Sequence, residues 1–319
     1  MSDQVSTKTS PATAAWPLVL GLVGLDYFST LAYLPSIAVQ AAGTLAPLLA
    51  AFVVLVTFCL ALPVYFYIVG RAPDGRGAAS MIEELRPGWR GKLLVLALLG
   101  FTAADFVITR SLSVADAATH LLHNRHGQAL FAAWTPSHEW LQGWLGSWWG
   151  EHLAAYLTPQ LITTLFLSLL SFAAWWLLSG GLTRTMLWGS TLVTLAFLWT
   201  TGRVTYYGLI YLVGHPETLL EWWDSVIATC GENTSVSSIV SGCLLMALWS
   251  FPQMALGLSG FEMIMTVTPL VRSLGGYPGP ATVARVRAAR MLILVAAIVM
   301  AAYLIATVLV TTIFVPNEE

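Results

Sequence analysis

Charge is what this sequence lacks. Of 319 residues only 9% are Asp, Glu, Lys or Arg, while 57% are hydrophobic. No water-soluble core of this size could hide so much apolar surface, so a soluble globular protein is excluded and an integral membrane protein is implied. The net charge of -2 points to no acidic, basic or nucleic-acid partner. Cysteine is scarce too. Cys59, Cys230 and Cys243 have neither metal-ligand nor redox spacing and are expected to be inert small hydrophobes. No cleavable leader is expected either. The first fifteen residues are polar, and the apolar run that follows contains Asp26 and Pro35, so it reads as a retained first span.

What is present is a series of about seven apolar segments: 16–43, 45–69, 93–122, 161–178, 186–213, 239–270 and 291–314. Recurrent runs of this length predict multiple crossings. With the N-terminus inside, Lys8, Arg71, Arg76, Arg86, Arg90, Lys92, Arg184, Arg272, Arg285, Arg287 and Arg290 fall on the inner side. Arg125 falls outside, and Arg110 and Arg203 lie within spans. That asymmetry sets an N-terminus-inside orientation. Between spans three and four, at about 128–156, Trp140, Trp144 and Trp148 recur every four residues, predicting an outer interfacial helix with an aromatic face.

Two stretches break the apolar pattern in the same way. GLVGLD (21–26) and GLSGFE (257–262) each place a pair of glycines before a carboxylate. Inside hydrocarbon, unwound backbone must be satisfied by protein or water, and a carboxylate costs a few kcal/mol unless paired. Each alone could be tolerated as a kink beside a protonated, hydrogen-bonded acid. Together they match the inverted-repeat pattern, in which corresponding helices break near the membrane midplane. A five-span repeat puts the second copy in span six, where GLSGFE lies. Gly21, Gly24, Gly257 and Gly260 are therefore the expected helix-break positions.

Span three adds a polar stripe. Thr102, Asp105, Thr109, Ser113, Asp116 and His120 fall within an arc of roughly 80° on a helix. Two aspartates among hydroxyls favour an ion or proton pathway over interhelical glue. Carbonyls, hydroxyls and carboxylates suit a dehydrated monovalent cation, and carboxylates sharing a cavity suit proton carriage. Composition does not distinguish potassium from sodium, or an ion from an amino acid.

GLDYFSTLAYLPS, GFTAADFVITRSLSVADA and ALGLSGFE together resemble the amino acid-polyamine-organocation transporter superfamily. The likeness is strongest to KUP-type potassium/proton symporters of the KimA-like branch. The resemblance implies an all-α membrane fold, a LeuT/APC-type inverted-repeat bundle with helices 1 and 6 broken. It implies a bacterial plasma membrane location, no resident cofactor, and transported potassium and protons. Asp26, Tyr33, Asp105, Thr109, Ser113, Ser259 and Glu262 would bind or gate the cation, with Glu262 and Asp105 carrying the proton. A homodimer in the lipid bilayer is compatible with it. On this reading residues 1–15 are a cytoplasmic tail, 16–213 a first five-helix repeat, and 239–316 the start of a second repeat holding only helices 6 and 7. Ten core spans are expected of the family, so the bundle is incomplete.

Arg110, directly after Thr109, departs from the family pattern; it is expected to snorkel or pair with an acid. A fixed guanidinium there would instead act as an internal cation, and Arg203 raises the same alternative. An amino acid permease of the same fold is the runner-up, its substrate amine held by the carboxylates. A membrane metalloenzyme using His120, His123 and His126, or a non-transporting membrane partner, would belong to a different class; the histidines sit at and beyond a helix end, where a solvated cluster is the simpler reading.

Overall fold

The computed structural model describes residues 13–72, 75, 77–132, 143, 158–178, 183–230, 236–254, 260–272 and 281–315. They are almost wholly helical, with no strand among them beyond one isolated bridge. The chain divides into two compact units, residues 1–105 with 183–319, and residues 106–182.

In the first unit, α1 (Trp16–Tyr27) does not continue through the first apolar segment. It passes into a 3-10 turn (Phe28–Ala32) before α2 (Leu34–Ala42). Pro35 explains the change: it offers no N–H to the ladder, its ring crowds the carbonyl of Leu31, and it pushes the preceding residue away from helical geometry. The Ser29 and Thr30 hydroxyls donate to the carbonyls of Asp26 and Tyr27, each at 2.7 Å, satisfying backbone that the α-ladder releases. Gly21 and Gly24 lie inside α1, not at a break. This corrects the expectation that they interrupt the helix; proline, one turn or more further on, does so.

Gly43 adopts φ 52, a left-handed geometry that suits a residue without a side chain, and there the chain turns into α3 (Ala46–Val56). A π-helical segment (Thr57–Ala61) joins α3 to α4 (Leu62–Arg71). It precedes Pro63, whose missing N–H and bulk a wider turn accommodates. An amphipathic α5 (Gly77–Leu85) follows, and then α6 (Trp89–His123) starts. Later come α9 (Arg184–Gly214), α10 (Pro216–Cys230), α11 (Val236–Met254), α12 (Gly260–Val267) and α13 (Ala281–Phe314).

The core forms around α13, against which α1, α2, α3, α4 and α9 pack. Its buried face holds Leu292, Ile293, Met300 and Leu304, with Ala288, Ala289, Ala296 and Ala297 between them. Small residues let neighbouring backbones approach closely, the usual basis of helix association in membranes. Helix α1 lies along α9 in the same way. Gly21 has no room for a Cβ beside Thr191, and Thr194 donates its hydroxyl to the Gly21 carbonyl at 2.8 Å. At one end of the unit the chain before α1 pairs with the chain after α12. The amide of Ala14 donates to Leu270, and that of Arg272 donates back to Ala14, at 2.8 and 2.7 Å.

The second unit holds the rest of α6, then α7 (Arg125–Ala132) and α8 (Pro159–Leu178). Gln160 of α8 donates to the Ala115 carbonyl at 3.0 Å and to the Thr119 hydroxyl at 2.8 Å. Trp140, Trp144 and Trp148 lie outside the described residues.

Among the described residues, the helical run Trp16–Arg71 and the helices Trp89–His123, Pro159–Trp176 and Thr282–Phe314 are long and apolar enough to cross a membrane. The 56-residue run exceeds one crossing and is divided by the turn at Gly43. The protein is thus an all-α chain with apolar, membrane-compatible helices. The fifth and sixth expected spans correspond to α9 and to α11 with α12, which are not among those four. The expected outer loop after span five is in fact helical, as α10: Pro216 opens it and Glu217 sits in its first turn, the favoured arrangement for a helix start.

Candidate functional site

Three carboxylates from three separate elements of the first unit are linked by electrostatic range through Asp105. Asp26 stands near the end of α1, Asp105 lies on α6, and Glu262 is in the first turn of α12. Asp105 is within electrostatic range of both Asp26 and Glu262. All three are partly accessible. The positions that bring them together are set by neighbours. Gly260 opens α12 directly against the Tyr27 ring, where a Cβ would collide with it, so α12 can approach α1 only at a glycine.

An aromatic cluster supports the acids from behind. Tyr27 packs on Phe28 and Phe261 at ring separations of 5.6 and 5.4 Å, and Tyr65 stacks on Phe261 at 5.1 Å. The Tyr65 hydroxyl donates to Glu262 Oε1 at 3.3 Å. Sequence reasoning did not single out Tyr65. It lies in an apolar run beside Phe66 and Tyr67, and nothing local tells which ring turns toward an acid. The π-helical segment preceding it inserts an extra residue into the turn and so shifts the angular position of everything after it.

A cavity of about 460 Å³ reaches Glu262. Its walls include Glu83 of α5, Leu98 and Thr102 of α6, and Met265 and Thr266 of α12. Glu83 and Glu262 are the two carboxylates in these walls, which are otherwise mostly apolar.

The remaining predicted residues fall as follows. Tyr33 is buried at the junction of the 3-10 turn and α2. Thr109 and Ser113 belong to the second unit. Ser113 donates to its own helix at the Thr109 carbonyl, 2.9 Å away, whereas the buried Thr109 hydroxyl has no hydrogen-bond partner among the described residues. Gly257 and Ser259 lie outside the described residues. His120 pairs with Asp116 at 3.5 Å, and no metal-binding cluster is found among the described residues. Cys230 is disulfide-bonded, which corrects its expected role as an inert hydrophobe; Cys59 is free. Arg203 donates to the Tyr207 hydroxyl at 3.4 Å and sits over its ring at 5.7 Å.

No known protein family, curated protein or solved structure matches the chain.

Proposed function

We propose that the protein acts in secondary transport of a monovalent cation, as a proton-coupled potassium uptake protein working by alternating access. The observation that carries this reading is that Asp105 lies within electrostatic range of both Asp26 and Glu262, and that Glu262 lines a cavity, within an otherwise apolar helical chain. Intramembrane carboxylates are costly and mark ion or proton paths. A cation held among them relieves their mutual repulsion, and a proton on one of them does the same. With three carboxylates, one can hold the proton while the others hold the cation, so that both relieve the repulsion together and are carried together, which is the basis of symport.

The interrupted first span supports the reading. The 3-10 turn and the proline after it interrupt the α-ladder just beyond Asp26, the kind of break at which inverted-repeat transporters build their sites. Helix α12 approaches α1 at Gly260, as the two broken helices of an inverted-repeat transporter do. The resemblance of the three sequence stretches to KUP-type symporters points the same way. The disulfide at Cys230 suits an orientation with the end of α10 outside, since disulfides persist on the oxidising side of a membrane.

The test is rubidium uptake by a potassium-transport-deficient host producing the protein, compared with Asp26→Asn, Asp105→Asn and Glu262→Gln. Uptake that needs all three carboxylates and collapses with a protonophore is the expected result. Uptake undiminished in the triple variant would sink the proposal. Uptake of labelled amino acids in place of rubidium would assign the site to a permease.

A further inference from the structure

A second cavity, of about 510 Å³, lies between α9 and α13, away from the carboxylates, and is lined by Leu198, Trp199, Arg203, Tyr206, Tyr207 and Tyr303. We propose that it binds the phosphate head of an anionic phospholipid, with Arg203 as its cationic anchor.

Depth is the first reason. Along α9, Arg203 is roughly 28 Å from Arg184 and roughly 18 Å from His215. With Arg184 at one boundary of a hydrocarbon layer about 30 Å thick, Arg203 stands close to the opposite boundary, at the depth of the lipid heads. A cation there is placed to meet their phosphates. Among the described residues Arg203 has no carboxylate partner. Its hydrogen bond to Tyr207 is long, at 3.4 Å, and leaves most of its N–H fork without an acceptor. That fork matches a phosphate in both shape and charge.

The cavity is also built rather than incidental. Tyr303 of α13 crosses to α9 and donates to the Leu198 carbonyl at 2.9 Å. Gly202 makes the room: a Cβ there would stand 2.7 Å from the Tyr303 hydroxyl. This contact forms a fixed floor beneath Arg203. The two exposed tyrosines, Tyr206 and Tyr207, add hydroxyls at the rim.

The surface beside the cavity fits an acyl chain. Trp199, Leu195, Leu192 and Trp188 are all more than half exposed and follow one another at spacings that keep them on one helix face. From Arg203 to Leu192 this strip runs roughly 16 Å, about the hydrocarbon depth of one leaflet. A partner helix is the other conceivable cover. Helices pack in membranes through small residues, and the two glycines nearest the cavity are already used: Gly202 faces Tyr303 and Gly208 faces Val310 of α13. The open strip beside the cavity carries mostly bulky and aromatic side chains, as suits lipid contact.

The experiment is native mass spectrometry of the full chain released from vesicles of equal phosphatidylglycerol and phosphatidylcholine content. Expected is a preference of about five-fold for the anionic lipid, lost in Arg203→Gln, largely kept in Arg203→Lys and unchanged in Arg110→Gln. If the Gln variant does not fold, a photo-crosslinker at Trp199 gives the same answer on the otherwise unaltered chain by capturing phosphatidylglycerol. Equal retention of both lipids, or a preference that survives Arg203→Gln, would overturn the proposal. So would full displacement by millimolar inorganic phosphate, which would mark a free-anion site, and a Trp199 crosslink to a protein in place of lipid.

Discussion

The Tyr65 hydroxyl lies 3.3 Å from Glu262 Oε1 while its ring stacks on the neighbouring Phe261. One side chain thus fixes both the acid and the aromatic support behind it. Removing only the hydroxyl separates the two roles. A hydrogen bond to a charged group contributes about 1.5–3 kcal/mol, so Tyr65→Phe is expected to weaken cation uptake by about ten-fold at low rubidium while leaving the melting temperature within a few degrees. Tyr65→Ala is expected to lower both. Uptake kinetics and thermal melting of the purified protein provide the check, and a Tyr65→Phe variant with unaltered uptake would show that Glu262 is positioned without it.

Carboxylates that repel one another hold the empty site under electrostatic tension. Asp105, within range of both Asp26 and Glu262, is the group whose neutralisation relieves most of it. Asp105→Asn is therefore expected to raise the melting temperature of the ion-free protein by a few degrees, the common trade of function for stability at active sites, while uptake is lost. Potassium is expected to stabilise the wild type and not the variant. A variant that melts lower than wild type in the absence of ions would contradict the repulsion argument.

Glycine has different consequences at different places. At Gly21 a Cβ meets the Thr191 side chain and comes within 2.6 Å of its Cα, and backbone cannot be moved by a rotamer change. Gly21→Ala is expected to destabilise the contact of α1 with α9 by about 1–3 kcal/mol. Gly260→Ala is expected to drive Tyr27 off α12 and to abolish uptake. At Gly189 nothing stands within 4 Å, so Gly189→Ala is expected to be neutral or to stabilise by up to about 1 kcal/mol through helix propensity. Melting temperatures of the three variants test this order.

The disulfide at Cys230 constrains the end of α10, which is also tied to the turn after α2: Trp222 donates its indole N–H to the Thr44 carbonyl at 2.9 Å. Reduction, or Cys230→Ser, is expected to cost about 2–4 kcal/mol and to lower the melting temperature. In intact cells a membrane-impermeant maleimide is expected to label Cys230 only after an impermeant reductant. Labelling without reduction would exclude the disulfide, and failure to label after it would place this end of α10 on the inner side.

Much of the helical framework was legible from composition and periodicity. The apolar runs at 93–122 and 291–314 appear as α6 and α13 with boundaries extended by a turn or more, because flanking Arg and Trp residues continue a helix beyond its apolar part. Carboxylates in apolar surroundings were conspicuous for the same reason. The break in span one was misplaced because glycine was weighed above proline: in a packed membrane helix a glycine keeps its hydrogen bonds and serves close approach, whereas Pro35 removes one outright. Helix α10 was hidden because Glu221, Trp222, Trp223 and Asp224 carry no long apolar run, and its packing over Thr44 is invisible to local pattern.

The sequence by itself determined that the chain needs an apolar environment, that its helices follow their apolar runs, and that Asp26, Asp105 and Glu262 are the costly residues in it. Hydropathy and charge are local properties, and they are enough for that. Only the tertiary structure decided which acids come within electrostatic range, that Tyr65 holds one of them, that Gly21 and Gly260 are points of close approach, and that Arg203 faces a cavity without a carboxylate. Those outcomes depend on angular phase and on distances between segments far apart in the chain. A single π-helical turn or a proline resets that phase, and no local pattern reports it.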